Sequence, residues 1–212
     1  MFRLTPIVKN LIIINVVIFL GQMFAPKIDI GSCFGFPEGV YGDDVVTAYL
    51  ALFNVHTSCF KPYQLFTYMF AHGNFMHIFF NMLSIAFLGP ILESFWGQNK
   101  FLLFYIITGI GAAAFSVAID LIMGGGAGSM LGASGAIYGL LMAFGMIFPN
   151  MEVRLLFPPV AIKAKYMVFI FGGLTFLMDR SGDVAHFAHL GGAVIGFIVV
   201  RAWRNQNQGG YF

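Results

Sequence analysis

Long apolar runs alternate with shorter polar segments along this chain, and the pattern predicts membrane-spanning helices. A helix needs about 20 mostly apolar residues to cross the hydrocarbon core of a bilayer. Six runs approach or reach this length: Ile7–Phe24, Asn74–Leu92, Phe101–Met123, Ser134–Phe148, Tyr166–Met178 and Ala185–Trp203. The fourth and fifth runs are short and follow apolar, glycine-rich loops, which favours helices that begin inside the bilayer. The expected fold class is an all-α, polytopic membrane protein.

Composition leads to the same expectation. Apolar residues make up 59% of the 212 residues and charged residues only 9%, whereas soluble domains carry about 25% charged residues on a surface that faces water. The net charge of +2 is small and scattered, so it does not indicate a nucleic-acid partner. The expected surroundings are the lipid bilayer. The segment before the first run is too short for a soluble module, and we expect one membrane domain over residues 1–212.

The basic residues predict which side of the membrane each loop occupies. Six spans place both termini on one side, and cytoplasmic loops are enriched in basic residues. Eight basic residues fall on the side of the termini: Arg3, Lys9, Lys100, Arg154, Lys163, Lys165, Arg201 and Arg204. Three fall on the other side: Lys27, Lys61 and Arg180. We therefore expect a multi-pass protein of the cell inner membrane with both termini in the cytoplasm.

The first apolar run is expected to be retained as a span. It lacks a small-residue cleavage site, and several equally apolar runs follow it, which is not typical of a signal peptide.

The longest predicted segment outside the spans, residues 25–68, contains both cysteines, Cys33 and Cys59. The predicted orientation puts this segment on the outer face, which is oxidising in a bacterium. Its glycine, proline and aromatic residues favour parts that lie at the membrane interface. The sequence leaves two interpretations open, a disulfide or two unpaired thiols in an apolar loop.

Polar side chains within the predicted spans are costly in lipid, so they are the first candidates for function. His77 and Asn81 lie four residues apart in the second span and share one helix face. Ser134 opens the fourth span, and His186 and His189 open the sixth. Each feature alone also has a packing interpretation, because Ser, Asn, His and Gly are common where membrane helices touch.

The predicted topology brings three of these residues to a similar depth. The second, fourth and sixth spans all run from outside to inside, so their first turns lie near the outer face. His77, Ser134 and His189 each lie within about two turns of such an end, about 5–10 Å below the surface at 1.5 Å per residue. One shared site explains this coincidence better than three unrelated packing contacts.

A serine and a histidine at one depth on different helices suit nucleophilic catalysis, in which the imidazole removes the hydroxyl proton and returns a proton to the leaving amine. The resulting oxyanion needs hydrogen-bond donors. The candidates are the backbone N–H of Ser134 at a helix N-terminus, the His77 ring and the Asn81 amide. No Asp or Glu lies within these spans near the outer face, which favours a Ser134–His189 dyad.

Four segments that contain these residues resemble the motifs of the rhomboid family of intramembrane serine proteases, in the family's order along the chain. They are Tyr63–Asn81, Gly89–Gly97, Gly132–Gly139 and Ala188–Gly196. The resemblance covers most of the chain and implies a six-helix rhomboid-like bundle. It also implies a serine endopeptidase without metal or cofactor, whose substrates are single-span membrane proteins cut near the outer part of their transmembrane helix.

The resemblance implies roles for individual residues. Ser134 would be the nucleophile and His189 its base, with the Tyr138 ring stacked on that base. His77 and Asn81 would supply oxyanion-hole side chains. Supporting and structural roles are implied for five further residues: Gly132, Gly192, Gly196, Glu93 and Gly97.

Two features bear on these roles. Many family members carry Trp-Arg where this chain has Tyr63-Gln64, so the contacts of the outer loop are not settled by the resemblance. His186 lies one turn from His189 and is a rival for the base. Gly192 and Gly196 share the His189 face at spacings of three and seven, which favours His189.

Three other functions fit parts of the pattern. A transporter could use membrane histidines as a proton relay, but such proteins often carry internal repeats and we see none here. An inactive rhomboid-like binding protein would be expected to lack Ser134 or His189, and this chain has both. A zinc site on His72, His77 and His189 lacks the close ligand spacing that zinc sites favour.

Overall fold

The computed structural model describes residues 3–34, 42–123, 129–154, 160–178 and 183–207. Its helices in chain order are α1 (Pro6–Phe24), α2 (Val45–Leu50), α3 (Gln64–Thr67), α4 (Phe75–Trp96), α5 (Gln98–Met123), α6 (Ser134–Ile147), α7 (Ala164–Met178) and α8 (Asp183–Asn207). Antiparallel ribbons pair β1 (Lys27–Asp29) with β2 (Gly42–Asp44), β3 (Leu52–Phe53) with β4 (Ser129–Met130), and β5 (Glu152–Arg154) with β6 (Ala161–Lys163).

Six of the helices coincide with the six apolar runs. Within the described ranges, four are long and apolar enough to cross a membrane: Pro6–Phe24, Phe75–Trp96, Gln98–Met123 and His186–Asn205. α6 and the Ala164–Thr175 part of α7 are apolar but shorter. Large apolar side chains face outward, among them Phe24, which is 83% exposed, and Ile122, which is 81% exposed. Apolar surface on this scale is stable in lipid rather than in water, and the protein is a multi-pass, all-α membrane bundle.

The connection between α4 and α5 differs from the prediction. α4 continues past Leu92, and α5 begins before Phe101. The single residue Gly97 makes the turn: its φ is +80°, which suits glycine, and its N–H donates to the Glu93 carbonyl. The predicted spans end where the apolar residues end, whereas a helix continues until its hydrogen bonds are capped. α8 likewise extends beyond the predicted run Ala185–Trp203 at both ends.

α6 lies at the centre of the bundle and packs against α4, α5, α7 and α8. Glycines let α8 approach it closely. A Cβ at Gly192 would overlap the carbonyl oxygen of Gly135, and a Cβ at Gly196 would lie 2.9 Å from the Cα of Gly139. The two helices are therefore in backbone contact, as small residues permit in membrane bundles.

Glu93 ties α4 to α1 at one end of the bundle. Its side chain is buried and accepts hydrogen bonds from the Thr5 hydroxyl and from the backbone N–H groups of Ile7 and Val8. These N–H groups belong to the first turn of α1, where no intrahelical acceptor exists and a negative charge is favourable. The structural role implied for Glu93 is thus a side-chain cap on a neighbouring helix.

Basic side chains gather at this same end. Lys100, near the start of α5, lies 4.6 Å from the centre of the Trp203 ring. Arg204 donates to the Met146 carbonyl near the end of α6. Arg180, which the prediction assigns to the opposite side, lies outside the described residues.

The segment between α1 and α4 covers the opposite end of the bundle. Cys33 and Cys59 form a disulfide within it, which answers the question that the sequence leaves open. Gln64, at the departure from Trp-Arg, is buried; its Oε1 accepts from the Lys61 N–H and its Nε2 donates to the Cys59 carbonyl. β3 of this segment pairs with β4, which leads directly into Ser134. The segment is therefore fastened internally and joined to the strand that precedes α6.

Candidate active site

Ser134 is the first residue of α6 and follows a tight bend at Gly132. The φ of Gly132 is +108°, which suits glycine, and its N–H donates to the Tyr68 carbonyl at 2.9 Å. The bend leaves the Ser134 backbone N–H in the first turn of the helix, where no intrahelical acceptor is available. A half-buried hydroxyl and a helix N-terminus therefore lie at one location.

A histidine from α8 contacts the Ser134 hydroxyl. His189 Nε2 lies 2.9 Å from Ser134 Oγ, a normal hydrogen-bond distance. Tyr138, one turn further along α6, stacks on the His189 ring with centroids 4.3 Å apart and an interplanar angle of 17°. Of the two candidate histidines in the sequence, His186 and His189, the one hydrogen-bonded to the serine is His189.

The glycine contact between α8 and α6 sets this distance. Gly192 lies one turn after His189 and meets Gly135, the residue that follows Ser134. Because no side chain separates the two backbones at this point, the hydroxyl and the imidazole are held within hydrogen-bond reach.

His77 and Asn81 of α4 border the same bend. A Cβ at Gly132 would lie 2.5 Å from His77 Nε2 and 3.7 Å from Asn81 Nδ2, so both nitrogens face the Gly132 backbone. Asn81 donates one amide hydrogen to the His77 carbonyl at 2.9 Å, and its nitrogen carries a second. The Gly73 N–H donates to His77 Nδ1 at 3.5 Å, which favours a proton on Nε2. Two side-chain donors therefore lie beside Gly132.

This arrangement can support acyl transfer. An imidazole nitrogen hydrogen-bonded to a serine hydroxyl can remove the hydroxyl proton during attack on a carbonyl. Donors aimed at the position of the developing oxyanion stabilise the transition state. The backbone N–H of Ser134 and the side chains of His77 and Asn81 are hydrogen-bond donors that lie around one bend of the chain.

Comparison with known protein families gives a match over most of the chain. Residues 60–205 match the family model described as the Rhomboid domain. The chain belongs to the rhomboid family. The matched part contains Ser134, His77 and His189. It also contains the glycines at which α6 and α8 touch.

Curated rhomboid relatives come from plants, yeast and bacteria. The chain is 31% identical over 152 residues to RHOMBOID-like protein 1 of Arabidopsis thaliana, covering 72% of this chain and 37% of that protein. It is 30% identical over 132 residues to Rhomboid protein 1, mitochondrial, of Saccharomyces cerevisiae, covering 61% and 38%. It is 29% identical over 156 residues to Rhomboid protease AarA of Providencia stuartii, covering 64% and 53%. The chain thus spans about two fifths to a half of the length of these relatives.

The structure has a polar contact between α1 and the loop before α4 that the sequence analysis did not identify. Gln22, buried in α1, accepts from the His72 N–H at 3.0 Å and donates to the His72 carbonyl and the Thr47 hydroxyl. The buried His72 ring meets the His77 ring edge to face, with centroids 5.0 Å apart. A glutamine inside an apolar run is the feature of the sequence that could have pointed to this contact beside the rhomboid site.

The positions of the three candidate zinc ligands, His72, His77 and His189, do not favour the zinc alternative. His72 and His77 contact each other, whereas His189 contacts Ser134. No group of three His, Cys, Asp or Glu side chains in the described part of the chain is arranged to hold a metal ion.

Burial controls the protonation of His72. Loss of hydration, and then the neighbouring His77 ring, lowers the pKa of His72 to about 3, while the Phe70 carbonyl offsets part of this effect. An unfolded histidine titrates near ~6.5, so the unfolded chain binds more protons between roughly pH 3 and 6.5. The stability contributed by neutral His72 is therefore complete above this window and is lost as the pH falls through it.

We expect His72→Gln to make the protein less sensitive to acid. Below about pH 6, His72 should contribute a decrease in the free energy of unfolding approaching ~1.4 kcal/mol per pH unit, because one proton separates the two states. Denaturant unfolding of wild type and variant across this range measures both slopes. Ser58→Ala, a change at an exposed residue of the same outer segment that does not titrate in this range, is the control and should keep the wild-type slope. Equal slopes for His72→Gln and wild type would contradict the assignment.

Proposed function

We propose that this rhomboid protein is an intramembrane serine endopeptidase that cleaves transmembrane segments of single-span membrane proteins near the outer leaflet. Ser134 is the nucleophile and His189 is its base. His77, Asn81 and the Ser134 backbone N–H bind the oxyanion. The observation that carries the proposal is the 2.9 Å hydrogen bond between Ser134 Oγ and His189 Nε2. A relative named as a rhomboid protease agrees with it.

The reaction proceeds through an acyl-enzyme. His189 Nε2 takes the proton of Ser134 Oγ as that oxygen attacks the scissile carbonyl and forms a tetrahedral intermediate. The imidazolium then gives this proton to the leaving amine, and the acyl group remains on Ser134. Water, deprotonated by the same imidazole, hydrolyses the ester and restores the serine. Tyr138, stacked on the ring, keeps the imidazole oriented during both steps.

The position of Ser134 suits a substrate that enters from the membrane. It is the first residue of a short apolar helix, so the site lies near the end of a span, where water can reach it. A peptide bond within a transmembrane helix has its carbonyl in the hydrogen-bond ladder, so the substrate must unwind locally. We expect substrates to carry helix-breaking residues near the cut site.

We assign the site to the outer face of the cell inner membrane, with both termini in the cytoplasm. The Cys33–Cys59 disulfide lies in the segment at the same end of the bundle as Ser134, and disulfides persist on the oxidising side of a membrane. Eight of the 11 basic residues fall on the predicted inner side. Tags on the two termini should be accessible only from the cytoplasm, and an externally accessible C-terminus would refute the assignment.

A cleavage assay tests the proposed activity. The purified protein in detergent is incubated with single-span membrane proteins, and the cut site is read by mass spectrometry. We expect cleavage in or near the outer part of the transmembrane segment. Substrates that remain intact, or that are cut only in their soluble regions, would contradict the proposal.

Asn81→Ala is expected to lower kcat about 10²-fold, and at most on the order of 10³-fold, because it removes one oxyanion donor. KM should change little, since the oxyanion exists only during the chemical step. The variant retains Ser134 and His189, so residual cleavage should occur at the same bond. Steady-state kinetics on one transmembrane substrate measures both constants.

Ser84→Ala is the matched control for Asn81→Ala. Ser84 lies on the same helix and donates to the Phe80 carbonyl within it, so its loss should leave kcat near the wild-type value. An undiminished kcat in Asn81→Ala, or an equal decrease in both variants, would remove Asn81 from the oxyanion hole.

A further inference from the structure

The Tyr138 side chain links the candidate site to α7. Its hydroxyl oxygen lies 2.7 Å from Thr175 Oγ1 and 3.0 Å from the Phe171 carbonyl oxygen. The same ring stacks on His189. One side chain therefore contacts the proposed base with its face and α7 with its tip.

The Thr175 side chain, which meets the Tyr138 hydroxyl on α7, has little conformational freedom. Thr175 Oγ1 lies 3.0 Å from the Phe171 carbonyl oxygen and 3.1 Å from that of Gly172, so the threonine hydroxyl donates to its own helix and its oxygen accepts from the Tyr138 hydroxyl. Threonine is also β-branched and has few χ1 rotamers in a helix. Gly172 lies beside the same ring, since a Cβ there would be in ordinary van der Waals contact with Tyr138 Cε1 at 3.9 Å.

Among the α7 side chains that the structure describes, the buried apolar ones lie in the first half of the helix. They are those of Ala164, Met167 and Val168. Further along the helix, large apolar side chains are exposed: Phe169, Ile170, Leu174 and Leu177. The contact with Tyr138 is therefore a specific polar contact in a part of α7 where most of the described large apolar side chains are exposed.

We propose that Thr175 is a positioning residue that acts on His189 through Tyr138, an inference that rests on the proposed role of His189 as the base. The paired hydroxyls hold the Tyr138 ring in one plane, and that ring keeps the imidazole turned toward Ser134. This support requires α7 to stay packed against α6. The alignment of the base therefore depends on the position of α7, and catalysis is steeply sensitive to such alignment.

Thr175→Val tests the link, because valine keeps the shape of threonine and removes only the hydroxyl. We expect fluorophosphonate labelling of Ser134, and kcat for a transmembrane substrate, to slow about fivefold, the effect of one hydrogen bond of ordinary strength. KM should not change. Thr175→Ser keeps the hydroxyl and should label at nearly the wild-type rate. Thr108→Val is the matched control, since Thr108 is buried in α5 and bonds to carbonyls of its own helix; it should label normally.

A double-mutant cycle separates positioning from a general loss of packing. Tyr138→Phe removes the partner hydroxyl, so Thr175→Val should slow labelling no further in that background. Two outcomes would overturn the positioning role alone. One is that the effects of the two changes multiply. The other is that the wild type is labelled and Thr175→Val is labelled at the same rate. Absence of labelling in the wild type would overturn the proposed function and the positioning role together.

Discussion

Ser134→Ala is expected to abolish cleavage of a transmembrane substrate. Without Oγ there is no nucleophile, and His189 has no proton to accept. Loss of the nucleophile in a serine protease lowers kcat by as much as ~10⁶-fold, so product should fall below detection in an assay of purified protein. The variant should still insert and fold, because the hydroxyl is half-buried and serves the hydrogen bond to His189 rather than the core.

Ser129→Ala is the control for this result. Ser129 lies in β4, in the strand that leads into the same bend, and its side chain is half-buried like that of Ser134. It should retain cleavage near the wild-type rate. If Ser134→Ala still cut the substrate at the same bond, the serine mechanism would have to be abandoned.

His189→Ala is expected to lose nearly as much activity as Ser134→Ala. Without the imidazole, the Ser134 hydroxyl is an ordinary alcohol with no base to take its proton and no acid to protonate the leaving amine. Members of a catalytic pair act as a unit, so the double variant should be no worse than either single variant. Cleavage by the two single variants and the double variant, compared under the same conditions, checks both statements.

His186→Ala is the matched control for the base. His186 lies one turn earlier on α8, and the hydrogen bond to Ser134 Oγ is made by His189. We expect substantial cleavage by His186→Ala. An inactive His186→Ala with an active His189→Ala would show that the base is misassigned, while the dependence on Ser134 would still stand.

The six spans could be predicted because lipid selects helices by length and apolar character alone. The ends of the spans were less accessible to prediction. The turn at Gly97 depends on a positive φ and on a hydrogen bond to the Glu93 carbonyl. Neither is visible in a hydrophobic pattern, so α4 and α5 extend further than the apolar runs.

The grouping of candidate site residues could be predicted because polar residues are rare in these spans. His77, Ser134 and His189 stand out from an apolar background, and spans that run in the same direction bring their first turns to one depth. In the structure His189 is hydrogen-bonded to Ser134, and His77 lies beside Gly132. The roles of these residues in catalysis stay a prediction.

Contacts that depend on loop path or helix rotation could not be predicted. The sequence does not reveal whether Cys33 and Cys59, 26 residues apart, come within the Cα distance of 5.6 Å that the structure has. Thr175 resembles an ordinary membrane threonine bonded to its own helix. Its contact with Tyr138 depends on how α7 is rotated against α6. The hydrogen bonds by which Gln64 holds its own loop together can likewise be recognised only once that loop is folded.

The most direct test of a Ser134–His189 dyad is the site of covalent modification by a fluorophosphonate, determined by peptide mass spectrometry on protein in lipid vesicles. This reagent reacts rapidly with a serine that a neighbouring base activates. The predicted result is one adduct, on the peptide that contains Ser134, which is lost in His189→Ala and kept in His186→Ala. An adduct on a different residue, or no adduct under conditions where the protein cleaves its substrate, would contradict the dyad.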